Sequence, residues 1–158
     1  PSAFGEVDEV NSVLGLARRY CTDELDKMLG RIQNDLFDLG ADLATPETHS
    51  DKRNDGELRI TATQVIRLES EIDTLNAELS PLTSFILPGG SELAAWLHLA
   101  RTVARRAERH MTELAVEESV NKHAMHFINR LSDLLFVLAR TANGKGQNDV
   151  LWIPGKNI

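Results

Sequence analysis

The segment Ser91-Glu-Leu-Ala-Ala-Trp96-Leu-His-Leu-Ala100-Arg-Thr-Val-Ala-Arg105-Arg-Ala-Glu-Arg-His110-Met-Thr-Glu-Leu-Ala-Val-Glu117 carries two helical faces at once. At about 100° per residue, Leu93, Trp96, Ala100, Val103, Ala104, Ala107, Met111 and Leu114 gather on one side. Arg101, Arg105, Glu108 and Arg109 form a stripe on another, and Arg106 points away from both groups. An apolar stripe of this length must be buried against other helices. Two unit charges about 6 Å apart repel by roughly 3 kcal/mol at an effective dielectric near 20, so aligned arginines need an offsetting charge. Glu108 is one; an opposing carboxylate or a polyphosphate would suit guanidinium forks better. The plainer alternative is a solvated face.

Working outward, four more helical patterns flank this one. The first covers about Ala3 to Arg19, with Phe4, Val7, Val10 and Leu14 at helical spacing, and the second Asp23 to Leu43, with Thr22 as its N-cap. The polar stretch Thr45–Arg59 reads as an exposed, mobile loop. Thr61 and Gln64 have capping-box spacing at the head of a third helix, which runs through Val65, Leu68, Ile72, Leu75 and Leu79 and stops at Pro81. After the apolar loop Ser84-Phe85-Ile86-Leu87-Pro88-Gly89-Gly90 and the segment quoted above, a fifth helix spans about Ser119 to Asn143. Its core face is Phe127, Leu131, Leu134, Leu135 and Leu138; Lys122, His126, Asn129, Asp133 and Arg140 line a polar stripe that serves either a ligand or a seam between subunits. Long helices joined by short turns imply an all-α, five-helix bundle. Residues 1–143 form that bundle and residues 144–158 a tail that is Gly- and Asn-rich apart from Val150-Leu151-Trp152-Ile153.

Composition narrows the function. The net charge of −7 argues against nucleic acid and anionic membrane as partners. A single cysteine, Cys21, rules out an intrachain disulfide framework and points to the cytoplasm. No Walker A, GxGxxG or HExxH sequence occurs, and His123 and His126 lack the companions of a metal site. Asp8 and Asn11 share a face of the first helix, where a carboxylate could partner the arginine stripe. The chain begins Pro1-Ser2-Ala3-Phe4 and enters a helical pattern at once, so a segment preceding Pro1 is expected.

Three segments, in this order, resemble the PduO-type ATP:cob(I)alamin adenosyltransferases. They are Gly5-Glu-Val-Asp8-Glu-Val-Asn11-Ser12; Ser84–Gly90 running into Arg101–Arg109; and Asn129-Arg-Leu-Ser-Asp133-Leu-Leu-Phe136. Asp35-Leu-Phe37-Asp-Leu-Gly40-Ala-Asp42-Leu-Ala44 between them is also typical. The resemblance implies a homotrimeric bundle with active sites between subunits. Its substrates are ATP, accompanied by Mg²⁺, and cobalamin; the 5′-deoxyadenosyl group moves to cobalt and triphosphate leaves. A reductase and an adenosylcobalamin-dependent acceptor enzyme are further implied partners. It also implies residue roles. Phe85 closes the space beneath the corrin and excludes the lower axial ligand, and Asp133 lies near the corrin side. Asp8 and Arg101 pair across the interface, while Arg105, Glu108 and Asn129 surround ATP, with Arg105 on phosphate. The family's Thr/Gly-rich ATP-binding stretch lies ahead of the first helix and is not among these residues. Its true absence would favour the alternative, a non-catalytic corrinoid-binding or scaffold bundle of the same fold.

Overall fold

The computed structural model describes residues 2–47 and 57–158. Five helices carry the chain: α1 Ser2–Arg18, α2 Asp23–Ala44, α3 Ala62–Asn76, α4 Glu92–Glu117 and α5 Lys122–Thr141. Two two-residue strands, β1 Ile86–Leu87 and β2 Val150–Leu151, complete the described elements. α1 packs against α2 and α4, and α5 against α4 and α3. Polar side chains join α2 to α3: Arg31 donates to Glu71, and Gln64 Nε2 donates to Asp35 at 3.0 Å and Asp38 at 3.3 Å. The core is aliphatic and nearly free of aromatic rings, with Leu14, Leu29, Ile32, Leu36, Leu97, Met111, Phe127 and Leu131 fully enclosed.

Helix ends follow local chemistry. Thr61 and Gln64 form the capping box anticipated above, and the Thr61 N–H donates to Gln64 Oε1 at 2.9 Å. Ser91 Oγ accepts the Ala94 N–H and caps α4. Asn121, not Ser119, starts α5, because its side chain accepts the His123 N–H. Thr22 occupies the N-cap position of α2 but makes no side-chain capping bond. α3 ends at Asn76, about one turn short of the expected Leu79; residues 77–79 continue as tight turns toward Pro81.

Three polar residues depart from expectation. Most of the polar loop Thr45–Arg59 falls at 48–56, outside the described residues, but its last residue is well placed. Arg59 Nη1 donates to buried Asp42 at 2.8 Å, and Asp42 Oδ2 accepts the Ile60 N–H at 2.8 Å and Asn121 Nδ2 at 2.9 Å. This buried carboxylate knots α2, the approach to α3 and the start of α5. Arg140, placed on a polar stripe by its spacing, is instead buried: its Nε donates to Asp149 at 2.9 Å and its Nη2 to the Ser80 carbonyl at 2.9 Å. Arg106 does not stand idle but crosses to α1, pairing with Glu6 at 2.6 Å and with Glu9.

Residues 144–158 fold back along the Phe85 loop. β2 pairs antiparallel with β1, Ile86 opposite Leu151 and Leu87 opposite Val150. No helix among the described residues is long and apolar enough to cross a membrane.

Candidate active site

The loop after α3 and the middle of α4 enclose a cleft of about 440 Å³ lined by Leu82, Ser84, Phe85, Ile86, Arg101 and Phe136. Its walls are mainly apolar, and Arg101 supplies the charge. Phe85 is 76% exposed and Leu82 44%, so the cleft presents apolar surface to solvent. Arg101 is half-buried; its Nε is enclosed and has no hydrogen-bond partner. Burial, then the neighbouring Arg105 charge, holds the Arg101 guanidinium below its ordinary pKa. A desolvated cation with an open donor attracts an anion.

One turn further along α4, Arg105 extends into solvent and meets Glu108 at 3.5 Å. Glu108 is mostly covered, because Asn129 Nδ2 on α5 donates to its other oxygen at 2.7 Å. The antiparallel packing of α4 on α5 thus brings Asn129 to Glu108, 21 residues away across the turn, and so into one group with Arg105. Arg109 is exposed at the end of the stripe. Asp133 is exposed one turn beyond Asn129 and pairs with Arg130 at 3.2 Å. Phe136, three residues on, reaches the Phe85 cleft.

Asp8 lies apart from these groups. With Asn11, Ser12, Gly30, Gln33, Asn34 and Phe37 it lines a second cleft, of about 480 Å³, between α1 and α2. Asp8 is exposed and makes no ion pair among the described residues, so Asp8 and Arg101 do not meet within one chain. Asn11 is buried beside it: its Nδ2 donates to the Gln33 carbonyl, while its Oδ1 has no partner. The carboxylates that do face α4 within the chain are Glu6 and Glu9, one or two positions from Asp8, and their partner is Arg106. At about 100° per residue Glu9 lies a quarter-turn from Asp8 and Glu6 more than half a turn, so the α1 face that meets α4 is not the one carrying Asp8 and Asn11.

Two further neighbours of the Phe85 loop escaped the spacing argument. Trp152 lies beside Phe85, ring centroids 5.8 Å apart and tilted by 50°, and Asn143 Nδ2 donates to the Gly89 carbonyl at 3.1 Å. The apolar run Val150–Ile153 in a polar tail was the one available signal. Among the described residues no group of three or more His, Cys, Asp or Glu side chains could hold a metal ion. Cys21 is half-buried, and burial pushes its thiol pKa up, away from reactivity.

Comparison with known proteins places this geometry. The family model described as "Cobalamin adenosyltransferase" matches residues 2–142. The corrinoid adenosyltransferase of Mycobacterium leprae (strain TN) is 50% identical over 159 residues, covering 97% of this chain and 82% of the relative. A phenylalanine-to-alanine variant of the PduO-type ATP:corrinoid adenosyltransferase from Lactobacillus reuteri, complexed with cobalamin and ATP, superposes with a TM-score of 0.83. It is 42% identical, and the match covers 95% of this chain and 83% of that one. An arginine-to-lysine variant of the Lactobacillus reuteri enzyme, complexed with ATP, gives 0.84 at 41% identity, covering 96% and 85%. With the family model matched across all five helices and the PduO-type fold shared nearly end to end, the chain belongs to the cobalamin adenosyltransferase family.

Proposed function

We infer that the chain transfers the 5′-deoxyadenosyl group of ATP to the cobalt of cob(I)alamin, giving adenosylcobalamin and triphosphate. One observation carries the reading: a desolvated, unpartnered arginine and an exposed phenylalanine share one apolar cleft, and a second arginine lies one turn away. The cationic stripe suits a triphosphate and the exposed ring suits a flat macrocycle.

In the transfer, the cobalt(I) electron pair forms the Co–C bond at C5′. The C5′–O5′ bond breaks, and its electrons leave with triphosphate. Cobalt(I) is a strong nucleophile, so the protein's share is alignment and stabilisation of the departing charge. Arg105 takes the phosphates, held in place by Glu108, which Asn129 fixes in turn. Phe85 fills the space on the lower face of the corrin and keeps an axial ligand away, which eases reduction of cob(II)alamin. Asp133 lies toward the corrin side. Mg²⁺ bound with ATP would neutralise charge on the triphosphate, beside the guanidinium of Arg105.

The site is completed by a neighbouring copy in a homotrimer, where Asp8 of one subunit meets Arg101 of the next. Neither Asp8 nor the Arg101 Nε has a partner among the described residues, which supports this arrangement. The cytoplasm is the proposed compartment, with a reductase and an adenosylcobalamin-dependent acceptor enzyme as partners.

The direct test mixes the full-length protein with ATP, Mg²⁺ and reduced cobalamin and follows the absorbance change of adenosylcobalamin. Arg105→Ala loses a charge-assisted contact worth about 1.5–3 kcal/mol, so turnover should fall roughly 10- to 100-fold. Phe85→Ala should impair use of cob(II)alamin under a weak reductant more than use of preformed cob(I)alamin. Cobalamin binding without adenosylcobalamin formation would instead support a carrier.

A further inference from the structure

We propose that Trp152 is a positioning residue for Phe85, and that the segment 144–158 is a strap that fixes the angle of that ring. The inference rests on the corrin-side reading of Phe85 given above. Phe85 is 76% exposed and sits beside a strand of only two residues, so its own element restrains it little. Its restraint comes from across the ladder. The register of Ile86 opposite Leu151 puts Trp152 opposite Phe85. There the Trp152 N–H donates to the Phe85 carbonyl at 2.8 Å, and Ser84 Oγ donates to the Trp152 carbonyl at 2.7 Å. The two rings lie 5.8 Å apart at 50°, within the range of favourable tilted aromatic pairs.

A two-stranded ladder this short does not hold by itself in water. It is anchored at the end of α5. The Arg140–Asp149 ion pair is buried, with side chains 6% and 2% exposed, and the Gly146 N–H donates to the Arg140 carbonyl at 2.9 Å. Asn143 reaches the other strand's root: its Nδ2 donates to the Gly89 carbonyl, and its Oδ1 accepts the Ser91 N–H at 2.9 Å. Gly90 makes this possible. Its φ is +100°, and a Cβ there would lie 2.2 Å from Asn143 Oδ1. The Phe85 loop and the strap are therefore tied to the same helix end, and they hold one another.

The test is electron paramagnetic resonance of cob(II)alamin bound to the full-length protein with ATP, which distinguishes cobalt with a lower axial nitrogen from cobalt without one. In Trp152→Ala the ratio of ligand-free to ligated cobalt should fall about three- to tenfold, the shift expected when one aromatic pair is lost. Trp152→Phe, which keeps a ring and the same backbone ladder, should restore most of it. Affinity for ATP, bound further along α4, should stay within about twofold, which a general loss of structure would not allow. If Phe85→Ala changes the spectrum and Trp152→Ala does not, the positioning role is wrong while the reading of Phe85 stands. If Phe85→Ala changes nothing, the corrin-side reading fails and this inference with it.

Discussion

The proposed bond between Asp8 and Arg101 of adjacent subunits can be measured as a coupling energy. Asp8 is exposed in the single chain, whereas the Arg101 Nε is sealed from solvent and unpaired. Such a pair lies between two limits: exposed pairs contribute about 0–1 kcal/mol, and stripping one partner from a buried pair costs about 3–5 kcal/mol. About 2 kcal/mol per pair is therefore expected, roughly 30-fold in an association constant. A closed trimer repeats the pair at three interfaces, so removing it costs about 6 kcal/mol, or roughly 10⁴ in the trimerisation constant. Because that constant scales with concentration squared, trimers of Asp8→Asn or Arg101→Met should dissociate at roughly 100-fold higher concentration than wild type. Sedimentation velocity over a dilution series measures this directly. Once either partner is gone the other has little left to lose, so the double variant should be scarcely worse than the Arg101 single variant. Singles that dissociate at the wild-type concentration, or a double whose loss equals the sum of the singles, would refute the pairing.

Other perturbations probe the bundle. Asp42→Ala leaves the buried Ile60 N–H without its acceptor, takes one of two acceptors from Asn121 Nδ2 and breaks the ion pair with Arg59, which keeps only carbonyl contacts and Glu57. It should lower stability by about 3–5 kcal/mol in urea unfolding, and Asp42→Asn, which keeps an acceptor, should cost less. Asp149→Ala removes the partner of buried Arg140, and because the strap can peel away, the loss should appear mainly as faster amide exchange at residues 144–153; unchanged exchange there would show the ion pair is not its anchor. His98 is 2% exposed with both ring nitrogens unpartnered, and burial followed by the Arg101 charge lowers its pKa. The unfolded chain therefore binds this proton more readily, so stability is full above about pH 6.5 and declines as pH falls toward the folded value. His98→Leu should flatten that decline, and an unaltered pH profile would exclude His98 as its source.

Much of the fold was readable because it rests on repetition. The apolar face of α4 recurs over about six turns and that of α5 over about four, and the bundle hides those faces. The Thr61–Gln64 box was readable because both partners lie within one turn. Buried polar groups have no such redundancy. Asp42 is one carboxylate among several on α2, and only the return of residues 59, 60 and 121 from distant parts of the chain makes it buried. Arg140 falls on the polar side of α5 by angle, yet the strap and Ser80 cover that side near the helix end. A helical wheel cannot register cover arriving from outside the helix.

The site residues divide along the same physical line. Arg105, Glu108 and Asn129 meet because two consecutive helices pack antiparallel, a geometry that a short turn already dictates. The meeting of Phe85 and Trp152 depends on a ladder of two residue pairs, too short to carry an alternating pattern, so its partner strand is settled by the anchoring at Asn143 and Asp149 instead. Asp8 needs still more. Its nearest neighbours on α1, Glu6 and Glu9, already meet Arg106, and their contacts complete the α1–α4 interface without it. A carboxylate that the chain's own packing leaves over, on the rim of a polar cleft, and an arginine whose Nε is enclosed without a partner among the described residues are the two groups that the proposed subunit pairing would join. The proposed second copy would give each of these groups the partner that folding of one chain leaves missing.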